Sequence, residues 1–175
     1  KNLISEVISA LKDAHNSLES KDGRKISTNT FFKNLSKVGK NKLVHYHGKR
    51  GGNGEWLWDF VLSSEKTGEK GWKKFSGLEL VCESEWDADF DDLLMDFQKL
   101  MVVKANIKLF ICQGCEKKKN NRLFIDLEKL IPQKLKSVGE TWILFISDNK
   151  DKPTYWVWNY NKKSKDPNII NEEHV

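Results

Sequence analysis

The feature that most restricts the fold of this chain is an apolar segment that ends in two acidic residues. Leu78-Glu79-Leu80-Val81-Cys82 continues directly into Glu83-Ser84-Glu85-Trp86. The pattern predicts a buried strand over residues 77–86, and because side chains alternate along a strand, Glu83 and Glu85 point to the same face. A carboxylate removed from water is costly unless a counter-charge or a metal ion compensates it. The end of this strand is therefore a candidate site.

A further acidic residue interrupts an earlier apolar run. Asp59 is the only charged residue in Trp56-Leu57-Trp58-Asp59-Phe60-Val61-Leu62, which predicts a strand over residues 55–63. We expect this strand to lie next to strand 77–86, so that Asp59, Glu83 and Glu85 converge at one edge of the sheet. Carboxylate oxygens suit Mg²⁺ or Mn²⁺. The acidic residues therefore predict a site for one divalent cation.

The remaining pattern predicts a single α/β domain over residues 1–161, with a disordered tail over 162–175. Strand 43–47 and the glycine-rich segment 48–54 predict a hairpin with strand 55–63, followed by a charged loop over 64–76. A strand–helix–strand unit from strand 77–86 to strand 107–112 predicts a parallel crossover. The other predicted elements are helices near 2–19, 28–38, 90–101 and 123–136, the strand 141–147 and a last edge strand, 155–160.

This order of elements, with Asp59 on the second strand and Glu83-x-Glu85 at the end of the third, resembles the restriction-endonuclease-like nucleases of the PD-(D/E)xK superfamily. The resemblance covers roughly residues 2–112. It implies a mixed central sheet flanked by helices, a divalent metal ion held by Asp59 and Glu83, and hydrolysis of phosphodiester bonds. The third motif position is usually Lys in that superfamily, whereas this chain has Glu85, which we expect to act as a ligand or base.

The departure at Glu85 directs attention to Lys99. The segments Glu83-Ser84-Glu85-Trp86 and Asp96-Phe97-Gln98-Lys99-Leu100 are similar to a group of bacterial proteins with this nuclease-like core. The resemblance implies that the following helix can supply the missing ammonium group. Lys99 lies about 100° from Leu100 around that helix, on a flank expected to face the end of the strand carrying Glu85. We expect Lys99→Met to lower turnover with little change in metal affinity, and Lys104 to matter less.

The charge pattern is compatible with a nucleic-acid partner, with DNA as the first expectation. The chain carries a net charge of +5, which permits a polyanionic partner without requiring one. Basic residues gather in predicted loops where they could reach phosphates. The candidates are Lys49, Arg50, Lys73, Lys74 and Lys117, Lys118 and Lys119. A homodimer is an open alternative.

Several other classes of function have less support. The chain has no glycine-rich phosphate loop, serine-nucleophile motif or dinucleotide fingerprint, and no apolar run near the roughly 18 residues needed to span a membrane. Three cysteines without a secretory signal favour a reducing cytoplasm. Two alternatives to the nuclease stay open. One is an inactive protein of this fold that binds nucleic acid or a protein, and the other is a zinc module using Cys112, Cys115, His45 and His47.

Overall fold

A mixed β-sheet with helices packed on it forms the fold, which is α/β as expected. The computed structural model describes residues 3–19, 28–38, 43–46, 57–67, 73–86, 90–113, 140–147, 153–159 and 168–174. The helices in these ranges are α1 (Leu3–Glu19), α2 (Thr28–Leu35) and α3 (Phe90–Val102). The strands are β1 (Leu43–Tyr46), β2 (Phe60–Thr67), β3 (Lys73–Glu85), β4 (Ile107–Gln113), β5 (Thr141–Ser147), β6 (Thr154–Asn159) and β7 (Asn168–His174).

The strands follow one another through a single sheet in chain order, from β1 to β7. At its centre β2 runs antiparallel to β3, whereas β3, β4 and β5 are parallel. Helix α3 joins β3 to β4, which confirms the predicted parallel connection. Because β2 is antiparallel to β3, the beginning of β2 lies beside the end of β3, and Phe60 pairs with Cys82. This pairing brings the segment before β2 to the acidic end of β3.

The two faces of the sheet carry separate apolar clusters. Leu80 and Cys82 pack with α1 and α2, whereas Val81, which lies between them in sequence, packs with α3. This alternation is the two-residue period of a strand that is covered on both faces. Helix α1 is also tied to the end of β5, where His15 Nδ1 lies 2.8 Å from the Ser147 hydroxyl.

The strongest patterns in the sequence predicted their elements well. The bounds of α1 and β5 match the expected ranges to within one residue, and α2, α3 and β4 lie where expected. β1 pairs antiparallel with β2, as the hairpin prediction required. The Trp142 side chain is completely buried in the core. The predicted helix at 123–136 lies outside the described residues.

The second strand was placed too early in the chain. Residues 57–59 form a bend, so that Asp59 precedes β2 rather than lying within it. The strand continues instead to Thr67 and β3 begins at Lys73, so most of the expected loop 64–76 is paired backbone. The backbone groups of a hairpin bond to each other whatever the polarity of the side chains, and apolar composition therefore misplaced both boundaries.

The carboxyl-terminal part of the chain also differs from expectation. β7 pairs antiparallel with β6, so the disordered-tail prediction for 162–175 is wrong over Asn168–His174, and β6 is not the edge strand. β7 contains only two adjacent β-branched residues, Ile169 and Ile170, among polar ones. Such a short run shows no alternation of apolar and polar residues, so the sequence of β7 does not predict a strand. Its backbone pairs with the edge that β6 would otherwise expose.

None of the helices in the described ranges has the length and apolar character needed to cross a membrane.

Candidate functional site

Asp59 and the end of β3 meet because of the antiparallel β2–β3 pairing. Asp59 Oδ2 accepts two hydrogen bonds from Ser84, one from the backbone N–H at 2.9 Å and one from the hydroxyl at 3.0 Å. Ser84 follows Glu83 directly, so these bonds fix the Asp59 carboxylate beside the strand end. The predicted adjacency of the two strands is thus confirmed, although Asp59 reaches the site from a bend.

Glu83 is the buried acid of the site. Its side chain is 1% exposed, and its Oε2 accepts a hydrogen bond from the Lys99 ammonium at 3.2 Å. The other carboxylate oxygen, Oε1, is buried and has no hydrogen-bond partner among the described residues. A buried oxygen in this condition normally indicates a bound ion, an ordered water or a proton. Glu83 is therefore the group in this cluster whose environment is incomplete.

Lys99 joins Glu83 to a third carboxylate. Its Nζ lies 2.6 Å from Asp96 Oδ1, one helical turn earlier on α3, in addition to its contact with Glu83. The Lys99 side chain is 45% exposed and that of Asp96 is 14% exposed. The sequence predicted that Lys99 faces the strand end that carries Glu85. In the structure the Lys99 ammonium contacts Glu83. We call Asp59, Glu83, Asp96 and Lys99 the acidic cluster.

The electrostatics of the acidic cluster favour protonation of the buried acid. Burial, followed by the charge of Asp59, raises the pKa of Glu83 to about 8, although Lys99 acts in the opposite direction. Burial also raises the pKa of Asp59, against the lowering effect of its Ser84 hydrogen bonds. Burial disfavours the charged form of Lys99, but its bonds to Asp96 and Glu83 prevail and raise its pKa above the ordinary value. The ammonium is thus the fixed charge and Glu83 the group that titrates.

Glu85 occupies a different environment from Glu83. It is partly exposed, and its Oε1 accepts a hydrogen bond from the backbone N–H of Trp86 at 2.7 Å. The Trp86 indole donates to Thr28 Oγ1 at 2.6 Å and packs on Phe31. These contacts link the strand end to α2. The role of Glu85 as a metal ligand or base stays a prediction.

The carboxylates of the cluster meet part of what a divalent cation needs. The described ranges contain no group of three or more His, Cys, Asp or Glu side chains arranged to hold a metal ion. Glu83, with its partnerless buried oxygen, and the neighbouring Asp59 nevertheless offer the hard oxygen ligands that Mg²⁺ and Mn²⁺ prefer. Mg²⁺ commonly binds through one or two carboxylates and keeps several waters. The chemistry of the pair fits such an ion.

Asp96 is the residue of the cluster that the sequence did not assign. Its spacing to Lys99, three positions along a helix, is that of a stabilising ion pair and could have marked it. Many surface helices carry such pairs, however, and only the packing of α3 on β3 places this one against Glu83. The signal was present but not specific.

Several residues of the predicted zinc and nucleic-acid sites lie outside the described residues or in a different element from the one expected. Cys112 is buried in the core beneath α3, as expected for a strand end, while Cys115 and His47 lie outside the described residues. Among the basic candidates, Lys49, Arg50 and 117–119 also lie outside those residues. Lys73 and Lys74 open strand β3 rather than lying in a loop.

In comparisons with known proteins, no family model and no curated protein matches this chain. The functional inference therefore depends on the acidic cluster and on the resemblance in the motif.

Proposed function

We propose that the protein is a metal-dependent nuclease that hydrolyses phosphodiester bonds, with DNA as its substrate. One observation carries the proposal. Glu83 is almost completely buried, keeps one carboxylate oxygen without a hydrogen-bond partner among the described residues, and lies within the electrostatic influence of Asp59. A purely structural acid at this depth would be expected to have its oxygens satisfied.

Each residue of the site has a role in this proposal. Asp59 and Glu83 would hold Mg²⁺ or Mn²⁺, and Ser84 orients Asp59 through its two hydrogen bonds. A bound cation supplies stabilisation of phosphate charge and a lowered pKa of the attacking water. Lys99 adds a positive charge next to the same carboxylate for a phosphate oxygen to approach. Glu85, partly exposed two positions further along β3, is the proposed acceptor of a proton.

The finer description of the fold belongs to the same proposal. The hairpin β2–β3, the helix α3 and the parallel strand β4 follow in the order expected of a restriction-endonuclease-like core. Glu83 lies near the end of the third strand, as the resemblance implies for a metal ligand, and Asp59 lies directly before the second strand rather than on it. Both correspondences support the nuclease assignment.

A second candidate function is an inactive protein of this fold that binds nucleic acid or a protein partner. The specific observation in its favour is that Lys99 already provides a positive charge at Glu83. With Glu85 in the usual position of the catalytic Lys, the site would then be inactive and stabilised by the ion pair between Lys99 and Glu83.

A cleavage assay on supercoiled and linear DNA, with Mg²⁺ or Mn²⁺, tests the first function. We expect metal-dependent cleavage by the wild type and its loss in Asp59→Asn and Glu83→Gln, because each change removes a charged ligand. Asp92→Asn is the matched control, since Asp92 is an exposed acid on the same helix as Asp96. Equal cleavage by all four proteins would identify a contaminant.

Absence of cleavage on both DNA and RNA would favour the second function. The dependence of DNA binding on salt concentration then distinguishes a nucleic-acid partner from a protein partner. Binding to duplex DNA should weaken with a slope of roughly −0.9 per phosphate neutralised in log affinity against log salt. Affinity for DNA that is indifferent to salt would point away from a phosphate-binding surface.

A further inference from the structure

We propose that Lys99 is a built-in counter-ion which a divalent cation displaces from Glu83, and that Asp96 retains the displaced ammonium beside the site. The inference rests on the proposed metal site and adds a mechanism that regulates its occupancy. It changes the expectation from the sequence that Lys99 has little influence on metal affinity.

The first support is the position of the ammonium between two carboxylates. Lys99 Nζ lies 3.2 Å from Glu83 Oε2 and 2.6 Å from Asp96 Oδ1. The shorter contact is the one made within α3, between residues one turn apart. Lys99 and Asp96 therefore form a unit that belongs to the helix, and the contact with Glu83 is an additional one made across to the sheet.

The second support is the difference in freedom between the partners. Glu83 lies in a central strand and is 1% exposed. The Lys99 side chain is 45% exposed, and its ammonium is carried on a flexible four-carbon stem. Lys99 can therefore move toward solvent without disturbing the core. Asp96, three positions earlier on the helix, remains within reach of the ammonium after such a movement.

The third support is the direct conflict between the ammonium and a metal ion. A divalent cation on a carboxylate sits roughly 2.0–2.6 Å from its oxygens, and the ammonium already lies 3.2 Å from one oxygen of Glu83. Two positive charges at such distances repel strongly in a partly buried site. Oε1 is buried, has no hydrogen-bond partner among the described residues and is the oxygen left for a cation to bind, and a cation bound there would repel the ammonium from Glu83.

These three observations define a role for Asp96. It does not contact a bound metal in this proposal but acts through Lys99, and it is thus a positioning residue. By holding the ammonium, Asp96 competes with Glu83 for it and makes the site easier to fill. After displacement it keeps the positive charge close enough to meet a phosphate.

Calorimetric titration with Mn²⁺ alone, at one pH and ionic strength, tests the inference without measuring activity. We expect Lys99→Met to bind Mn²⁺ about tenfold more tightly than wild type, because the competing charge is removed. Lys99→Gln should give a similar gain, since it keeps a hydrogen-bond donor but not the charge. Lys104→Met, which removes an exposed lysine beyond the end of α3, should leave affinity unchanged, and Glu83→Gln should abolish binding.

A double-mutant cycle tests the indirect action of Asp96. Asp96→Asn should weaken Mn²⁺ binding in the wild-type background, because the ammonium then pairs only with Glu83. The same change should have little effect in the Lys99→Met background. An equal loss in both backgrounds would overturn the positioning role and make Asp96 a ligand or a general source of negative charge.

The outcomes separate this inference from the proposed function. If wild type binds Mn²⁺ and both Lys99 variants bind it equally or more weakly, the counter-ion inference is overturned while the metal site stands. If only the Lys99 variants bind Mn²⁺, the inference is supported and the natural protein is the inactive form. If no protein binds Mn²⁺, although near-ultraviolet circular dichroism shows each to be folded, both proposals are overturned.

Discussion

Two contacts between an acid and a lysine lie on the same face of the sheet, and they differ in how well their charges are matched. Near the start of β4, Lys108 forms an ion pair with Glu140 at 2.5 Å, the Trp142 indole donates to the same carboxylate, and the ammonium lies over the Trp142 ring. One acid there meets one base and one further donor. In the acidic cluster, two carboxylates share Lys99, Asp59 adds a third negative group beside them, and Glu83 Oε1 has no hydrogen-bond partner among the described residues.

The comparison shows how a structural ion pair differs from a candidate site within one molecule. Both Lys108 and Glu140 are buried, and their charges are matched, so the pair is closed to further ligands. The acidic cluster has an excess of negative charge, a raised pKa at Glu83 and a lysine with access to solvent. A matched buried pair is explained by structure alone, whereas a buried charge without a matched partner is a candidate for function.

The largest expected effect is the loss of stability when the closed pair is broken. Lys108→Met leaves Glu140 buried with the Trp142 indole as its one donor among the described residues. Removing one partner of such a pair costs about 3–5 kcal/mol in the free energy of unfolding. Urea denaturation followed by tryptophan fluorescence measures this change. Lys104→Met is the exposed control. Lys108→Met combined with Glu140→Gln should recover part of the loss, and a cost no larger than that of the control would show that the pair is not desolvated.

Removing the charge of Glu83, in contrast, is expected to raise the free energy of unfolding. The pKa of Glu83 is about 8 in the folded protein against an ordinary 4.5. Between these values the folded state binds more protons than the unfolded state, so the free energy of unfolding should fall as pH rises. Glu83→Gln should flatten this dependence and stabilise the metal-free protein by roughly 1–3 kcal/mol above pH 8. Denaturation curves at several pH values measure the effect, and an unchanged slope in the variant would assign the dependence to other groups.

The smallest expected effect separates Asp96 from Glu83. Asp96 raises the pKa of Glu83, and it also shares the ammonium that lowers it. Asp96→Asn should therefore shift the alkaline end of the Glu83-dependent window to lower pH without removing the window. The same denaturation series detects the shift when it is compared with Asp92→Asn. A shift to higher pH would mean that Lys99 leaves Glu83 when Asp96 is neutral.

The sequence predicted the parts of this site that depend on short-range pattern. The two-residue period placed Glu83 and Glu85 on one face, and the period of α3 put Lys99 on the flank that faces the sheet. It did not predict that Asp59 precedes its strand or that Asp96 joins the cluster. Both depend on how elements pack after they form, and an apolar run such as Trp56-Leu57-Trp58 has no signal for the residue at which pairing begins.

The acidic cluster comes from a short stretch of chain. Asp59 and Ser84 are separated by 25 positions, and Glu83 and Lys99 by 16, whereas the His15–Ser147 contact that ties α1 to β5 spans 132. The entropy of closing a loop grows with the logarithm of its length, so the long closure costs about 2 kcal/mol more than the shortest. The acidic cluster can therefore assemble at a smaller entropic cost than the contact of α1 with β5. We expect β2, β3, α3 and β4 to form as a unit before the first helix docks on the sheet.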